Sequence, residues 1–135
     1  MAYFGKEFKL DRQDNYDAFV NAVYAGIADE QYRQALIADK PTYKLVKSGD
    51  GYTLYTTKSD KSNHEEHFVP GVEYDEVVGG KNAKYTTTVD GNIFTKALKF
   101  PEGTITVKRE FNDNELVTTY TCDKWEGTAV RYFKV

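Results

Sequence analysis

Two arginines stand inside stretches of strand composition, Arg109 in VKREF and Arg131 in AVRYF. Side chains along a strand alternate between two faces. Val107, Arg109 and Phe111 therefore share one face, and Ala129, Arg131 and Phe133 share another. If those faces turn inward, each arginine goes with its apolar neighbours. A buried guanidinium costs several kcal/mol unless an anion meets it. Two arginines on nearby strands can converge on one carboxylate through charge-assisted hydrogen bonds, which a low local dielectric strengthens further. The ordinary alternative is that both lie on the surface, paired with Asp or Glu of the same chain. Tyr120, in ELVTTYT, shares a face with Leu116 and Thr118. It is either a polar handle on the same interior or an ordinary strand tyrosine.

Other reactive residue types fit no known chemistry. His64 and His67, in SNHEEHF, are an odd number of positions apart, so a strand sends them to opposite faces. The pattern is also not the helical H-E-x-x-H of zinc proteases, and no metal site is expected. GGKN lacks the leading glycine and following Ser or Thr of a phosphate loop. Cys122 has no catalytic context. No enzymatic activity and no cofactor are expected.

From Lys40 onward, turn signals recur at short intervals: SGDG at 48–51, PG at 70–71, GGKN at 79–82, DGN at 90–92, PEG at 101–103, NDN at 112–114 and DKWEG at 123–127. The runs between them have strand composition, which implies consecutive antiparallel hairpins. With the opening GKEFKL they make about ten strands. Pro41, Pro70 and Pro101 all fall at boundaries. One segment breaks the rhythm. Asp14 is placed to cap a helix over DNYDAFVNAVYAG, stopped at Gly26, and Asp29 to cap a second over DEQYRQALIAD, stopped before Pro41. Ten up-and-down strands carry exposed edges unless the sheet closes. A barrel of that size is too wide for side chains alone to fill, so an internal cavity is expected, with mixed Thr, Tyr, Arg and aliphatic walls.

The 135 residues suit one domain. Eleven Tyr and eight Phe accompany a net charge of −3, which argues against nucleic acid as a partner. A lone cysteine fits a reducing compartment, and MAYFGKEFKL carries no apolar core of a secretory leader. No apolar run approaches the ~20 residues of a bilayer span. The expected location is the cytosol.

Four stretches carry a resemblance. FKLDRQDNYDAFV resembles the N-terminal signature of the intracellular lipid-binding proteins of the calycin superfamily, the group of fatty-acid- and retinoid-binding carriers. GVEYDEVVGGKNAKYTTTVDGN resembles their central strand pair and turn, VKREFNDNELV their penultimate hairpin, and VRYFKV their last strand. The tyrosine-rich style and the KREF…WEG…RYF ending are most similar to insect fatty-acid-binding members. The resemblance spans the chain. It implies an all-β fold, a ten-stranded antiparallel up-and-down β-barrel (β-clam) with a helix-turn-helix lid between strands one and two. It also implies a monomeric carrier of one long-chain fatty acid, with at most weak or transient membrane contact.

The family commonly holds the carboxylate with an arginine on one late strand and an Arg-x-Tyr pair on the last. Those positions match Arg109 and Arg131, but the third is Phe133, so the phenolic contact is not carried over. Tyr120 is a candidate replacement donor. Tyr16 and Phe19 on the first helix either touch the tail near a portal or pack the lid on the rim. In the family's register His64 and Glu66 face the cavity, with a solvated strand edge as the alternative. Retinoic acid, or another hydrophobic carboxylate or carotenoid-like ligand, is an alternative cargo. A membrane-associated structural role is another, but it needs a basic surface. From Asp11 to Asp39 only Arg12 and Arg33 stand against Asp11, Asp14, Asp17, Asp29, Glu30 and Asp39.

Overall fold

Six of the seven turn signals fall at hairpin turns, and PG at 70–71 falls instead between two strands that do not pair. The computed structural model describes residues 2–135. Strand β1 spans Phe8–Asp14; helices α1 (Tyr16–Val23) and α2 (Glu30–Ala38) follow, separated by a 3₁₀ turn at Tyr24–Gly26. Then come β2 (Thr42–Ser48), β3 (Gly51–Thr57), β4 (Asn63–Phe68), β5 (Tyr74–Val78) and β6 (Lys81–Asp90). The chain ends with β7 (Ile93–Phe100), β8 (Gly103–Phe111), β9 (Glu115–Cys122) and β10 (Trp125–Lys134).

All ten strands form one antiparallel sheet in the order β4-β3-β2-β1-β10-β9-β8-β7-β6-β5. First and last strands pair, with Gln13 opposite Arg131 and Asp14 opposite Val130, so the sheet curls into a nearly closed barrel. Among the described residues no ladder joins β4 to β5, the two ends of the sheet. Gly51 lets the β2–β3 corner tuck under β4: a Cβ there would lie 2.2 Å from the Phe68 carbonyl oxygen.

The helix pair covers one end. Tyr16, Phe19 and Val20 form the buried face of α1, packed on β9 and β10. Asp14 does not cap this helix. It stays in β1, and Asn15 takes the cap position in a left-handed conformation (φ 64°) without a side-chain cap bond. Pairing with β10 outcompetes the cap, and the Asn15 amide instead donates to the Thr128 carbonyl. Asp29 does cap α2, accepting from the Tyr32 amide at 2.8 Å. At the far end of α2, the Asp39 carboxylate accepts from the Ser59 amide at 2.8 Å, which ties the helix to the β3–β4 turn.

The interior is dense with rings. Phe8, Phe19, Phe111 and Phe133 are fully buried, and Phe94 meets Phe111, Phe68 and Tyr52 edge-on at 5.5, 6.2 and 4.9 Å between centroids. The void bounded by Leu45, Leu54, Glu66, Phe68, Thr87, Phe94, Arg109 and Phe111 measures only about 10 Å³, the room of a single water. Aromatic side chains close tightly around this void.

Candidate functional site

Register places the polar interior residues in two adjacent rows. Gln13 faces Arg131, Arg131 faces Thr118, Thr118 faces Arg109, and Arg109 faces Phe94. One row thus crosses β1, β10, β9, β8 and β7. The next row runs Ala129, Tyr120, Val107, Lys96 and Thr87. Arg131 is inward and 2% exposed. Its Nε donates to the Gln13 side-chain oxygen and one terminal nitrogen to the Asp39 carbonyl, both at 3.0 Å. The guanidinium also lies 4.1 Å from the centre of the Tyr16 ring. Tyr16 on α1 thus contacts the inward Arg131.

Arg109 lines the small void. Its Nε is enclosed without a hydrogen-bond partner, and its guanidinium lies 5.5 Å from the Tyr43 ring. Burial works against the Arg109 charge, but Tyr43, Glu66 and Tyr120 nearby more than offset that and raise its pKa. No carboxylate among the described residues is within ion-pair distance of either guanidinium. The surface alternative for the two arginines thus does not hold.

Tyr120 is inward and buried, packed on Tyr16 and Phe19 at 5.2 and 5.3 Å. Burial pushes the Tyr120 and Tyr16 phenols well above their usual pKa, so both stay neutral. Phe19 also meets Trp125 at 5.6 Å, in the manner of a lid packed on its rim. Phe133 is fully buried and its ring stands edge-on to Tyr43 at 5.1 Å.

A second polar cluster lies where the sheet fails to close. Lys96 on β7 donates to Glu66 on β4 at 2.7 Å and to Glu76 on β5 at 2.9 Å. It also sits 4.3 Å from the Tyr85 ring. These contacts bridge the unpaired β4 and β5. Glu66 therefore points inward, while His64 on the same face is exposed at the start of β4 and His67 is exposed on the other. His67 Nδ1 is 3.1 Å from the Thr53 hydroxyl. Among the described residues no cluster of metal-ligating side chains occurs.

No family model matches the chain. Fatty acid-binding protein 1 of Manduca sexta is 44% identical over 135 residues, 99% of each chain. The chain belongs to the fatty-acid-binding protein family. A solved structure of a fatty-acid-binding protein from Manduca sexta superposes with a TM-score of 0.86 at 39% identity, over 98% of this chain and 99% of that one. A Schistosoma mansoni fatty acid binding protein in complex with arachidonic acid gives 0.84 at 27% identity, over 98% and 95%.

Within this barrel of the fatty-acid-binding protein family, sequence reasoning missed Gln13, Tyr43, Thr118 and the Lys96 cluster. The signal for Lys96 was present: Phe94, Lys96, Leu98 and Phe100 alternate in IFTKALKF as the residues around Arg131 do. Gln13 and Tyr43 had none, since only closure of the barrel brings β1 and β2 beside the late strands.

Proposed function

We propose that the chain is a monomeric cytosolic carrier of one long-chain fatty acid, with the carboxylate held by Arg109 and Arg131. One observation carries this reading: two inward-facing guanidinium groups share a row of the sheet with no carboxylate of the protein within ion-pair distance. A ligand carboxylate supplies the missing charge. Its two oxygens offer about four acceptor sites, and after Gln13 and Asp39 are served Arg131 still has three of its five N–H donors.

The tail supplies most of the affinity. Burying about fifteen methylenes at ~0.8 kcal/mol each sets an upper bound near 12 kcal/mol, from which chain ordering and lost translation subtract a large share. Ligand pockets are typically ~300–1,000 Å³, far beyond the small interior void. A tail is therefore accommodated by ring displacement, and the interior aromatics are its walls. A groove of about 390 Å³ between α2 and the β3–β4 turn, lined by Tyr32, Leu36, Asp39 and Ser59 among others, is the route inward. Tyr120, Tyr16 and Phe19 form the lid-side wall.

Calorimetry with oleate and oleyl alcohol tests the reading. A hydrogen bond to a charged group contributes ~1.5–3 kcal/mol, so Arg131→Leu weakens oleate roughly tenfold to a hundredfold and the alcohol little. Equal losses for acid and alcohol overturn it. Competition between oleate and retinoic acid then decides the shape of the tail.

A further inference from the structure

Thr118 stands midway between the two arginines, facing Arg131 across one strand pair and Arg109 across the other. Its side chain is completely buried, and its hydroxyl has no hydrogen-bond partner. Buried polar groups are nearly always paired, and one left alone calls for an explanation. A valine would fill nearly the same space without that cost. The Arg109 Nε is likewise enclosed and unpartnered. Both orphaned atoms sit near the sheet, since Nε lies part-way down its side chain and a threonine hydroxyl is one bond beyond Cβ. The row thus has unsatisfied capacity at its base, at Thr118 and the Arg109 Nε, as well as at the guanidinium tip of Arg131.

We infer that Thr118 is a third carboxylate ligand, donating its hydroxyl hydrogen to an oxygen seated low between β8 and β10 that also receives the Arg109 Nε–H. This rests on the carrier reading above. It assigns the neutral donor to the row of the arginines, in a protein where position 133 has no hydroxyl to give. Tyr120, one row away, packs its ring on Tyr16 and Phe19. The chemistry selected is a carboxylate or another planar anion with an acceptor at that depth.

The test compares Thr118→Val, Thr118→Ser, Thr118→Cys and Tyr120→Phe with the wild type, using oleate, oleyl alcohol and oleate labelled with ¹³C at the carboxyl carbon. Thr118→Val is expected to weaken oleate threefold to tenfold, to leave the alcohol within twofold, and to shift the bound carboxyl resonance. Thr118→Ser keeps wild-type behaviour, and Thr118→Cys, which fills similar space with a weak donor, loses affinity as Val does. Tyr120→Phe leaves the carboxyl resonance in place. Unchanged oleate affinity in both Thr118→Val and Thr118→Cys overturns the inference, as does an equal loss of acid and alcohol. If Arg131→Leu still discriminates acid from alcohol in that case, the carrier reading survives alone. If it does not, both fall.

Discussion

The barrel encloses two sets of cations and treats them oppositely. Lys96 is matched on both sides by carboxylates, Glu66 and Glu76, at 2.7 and 2.9 Å. Arg109 and Arg131, one row away, have no carboxylate within ion-pair distance; Arg131 is met by an amide oxygen, a backbone carbonyl and the Tyr16 ring face, and Arg109 by the Tyr43 ring. The same fold thus contains a neutralised cation where the sheet is open and two unneutralised ones where it is continuous. The first arrangement serves structure, because its three side chains come from strands β4, β5 and β7 and join the two ends of a sheet that share no ladder. The second leaves positive charge for something else. Burial of a charge therefore says little by itself; what faces it decides whether it is a strut or a site.

Unfolding experiments on the ligand-free protein test that contrast most strongly. Removing one member of a buried ion cluster strands its partners, at a cost of ~3–5 kcal/mol. Glu76 keeps 29% of its side chain exposed, so Lys96→Met is expected near the lower end, about 3 kcal/mol in urea denaturation. Arg131→Leu frees the oxygens of Gln13 and Asp39 but also removes an unpaired buried charge. These oppose, and its stability is expected to change by no more than about 1 kcal/mol. Similar losses in the two variants would erase the distinction.

The next effect concerns the arginines as a unit. If both serve one anion, Arg109→Leu and Arg131→Leu each weaken oleate, and the double variant loses less than the sum of the two, because neighbours in one network do not add. A coupling of about 1 kcal/mol or more from the four Kd values is expected. Strict additivity would assign the two guanidinium groups to separate tasks and leave Arg109 as a partner of Tyr43 alone.

How much of this was legible in the residues follows from the period of a strand. Arg131 and Arg109 were readable because alternation fixes a face and their apolar neighbours identify it as the inner one. Lys96 obeyed the same rule between Phe94 and Leu98, so its inward course was equally readable. Its partners were not, since Glu66 and Glu76 reach it only once the ends of a ten-stranded sheet curl toward each other. Gln13 and Tyr43 were hidden for the same reason. The turns were placed by Gly, Pro and Asn chemistry at every hairpin except β3–β4, whose KSDKS turn carries none of them. Asp14 illustrates the opposite limit: as a cap it satisfied every local rule, and pairing of β1 with β10 overrode them. The filling of the interior by rings was also beyond sequence pattern, which counts strands but not how Phe8, Phe94 and Phe111 interlock.

The smallest expected effect lies at Phe133, where the family's phenol is missing. A hydroxyl added here has two consequences of opposite sign. It brings a donor toward the anion, with ~1.5–3 kcal/mol gross for a bond to a charged group. It also needs room. Phe133 is fully buried and its ring stands edge-on to Tyr43 at 5.1 Å, and adding atoms to a packed interior costs ~1–3 kcal/mol. If Thr118 and the arginines serve the carboxylate as proposed, the new donor is partly redundant. Phe133→Tyr is therefore expected to tighten oleate by at most about threefold, under ~0.7 kcal/mol, and to leave oleyl alcohol unchanged. In the Thr118→Val background the redundancy disappears, and the same substitution gains more, about tenfold. Measuring oleate affinity for the four combinations at one salt concentration separates the cases. A large gain in the wild-type background would mean that the row lacks a neutral donor and that Thr118 is not one, whereas a gain for the alcohol alone would turn position 133 away from the anion.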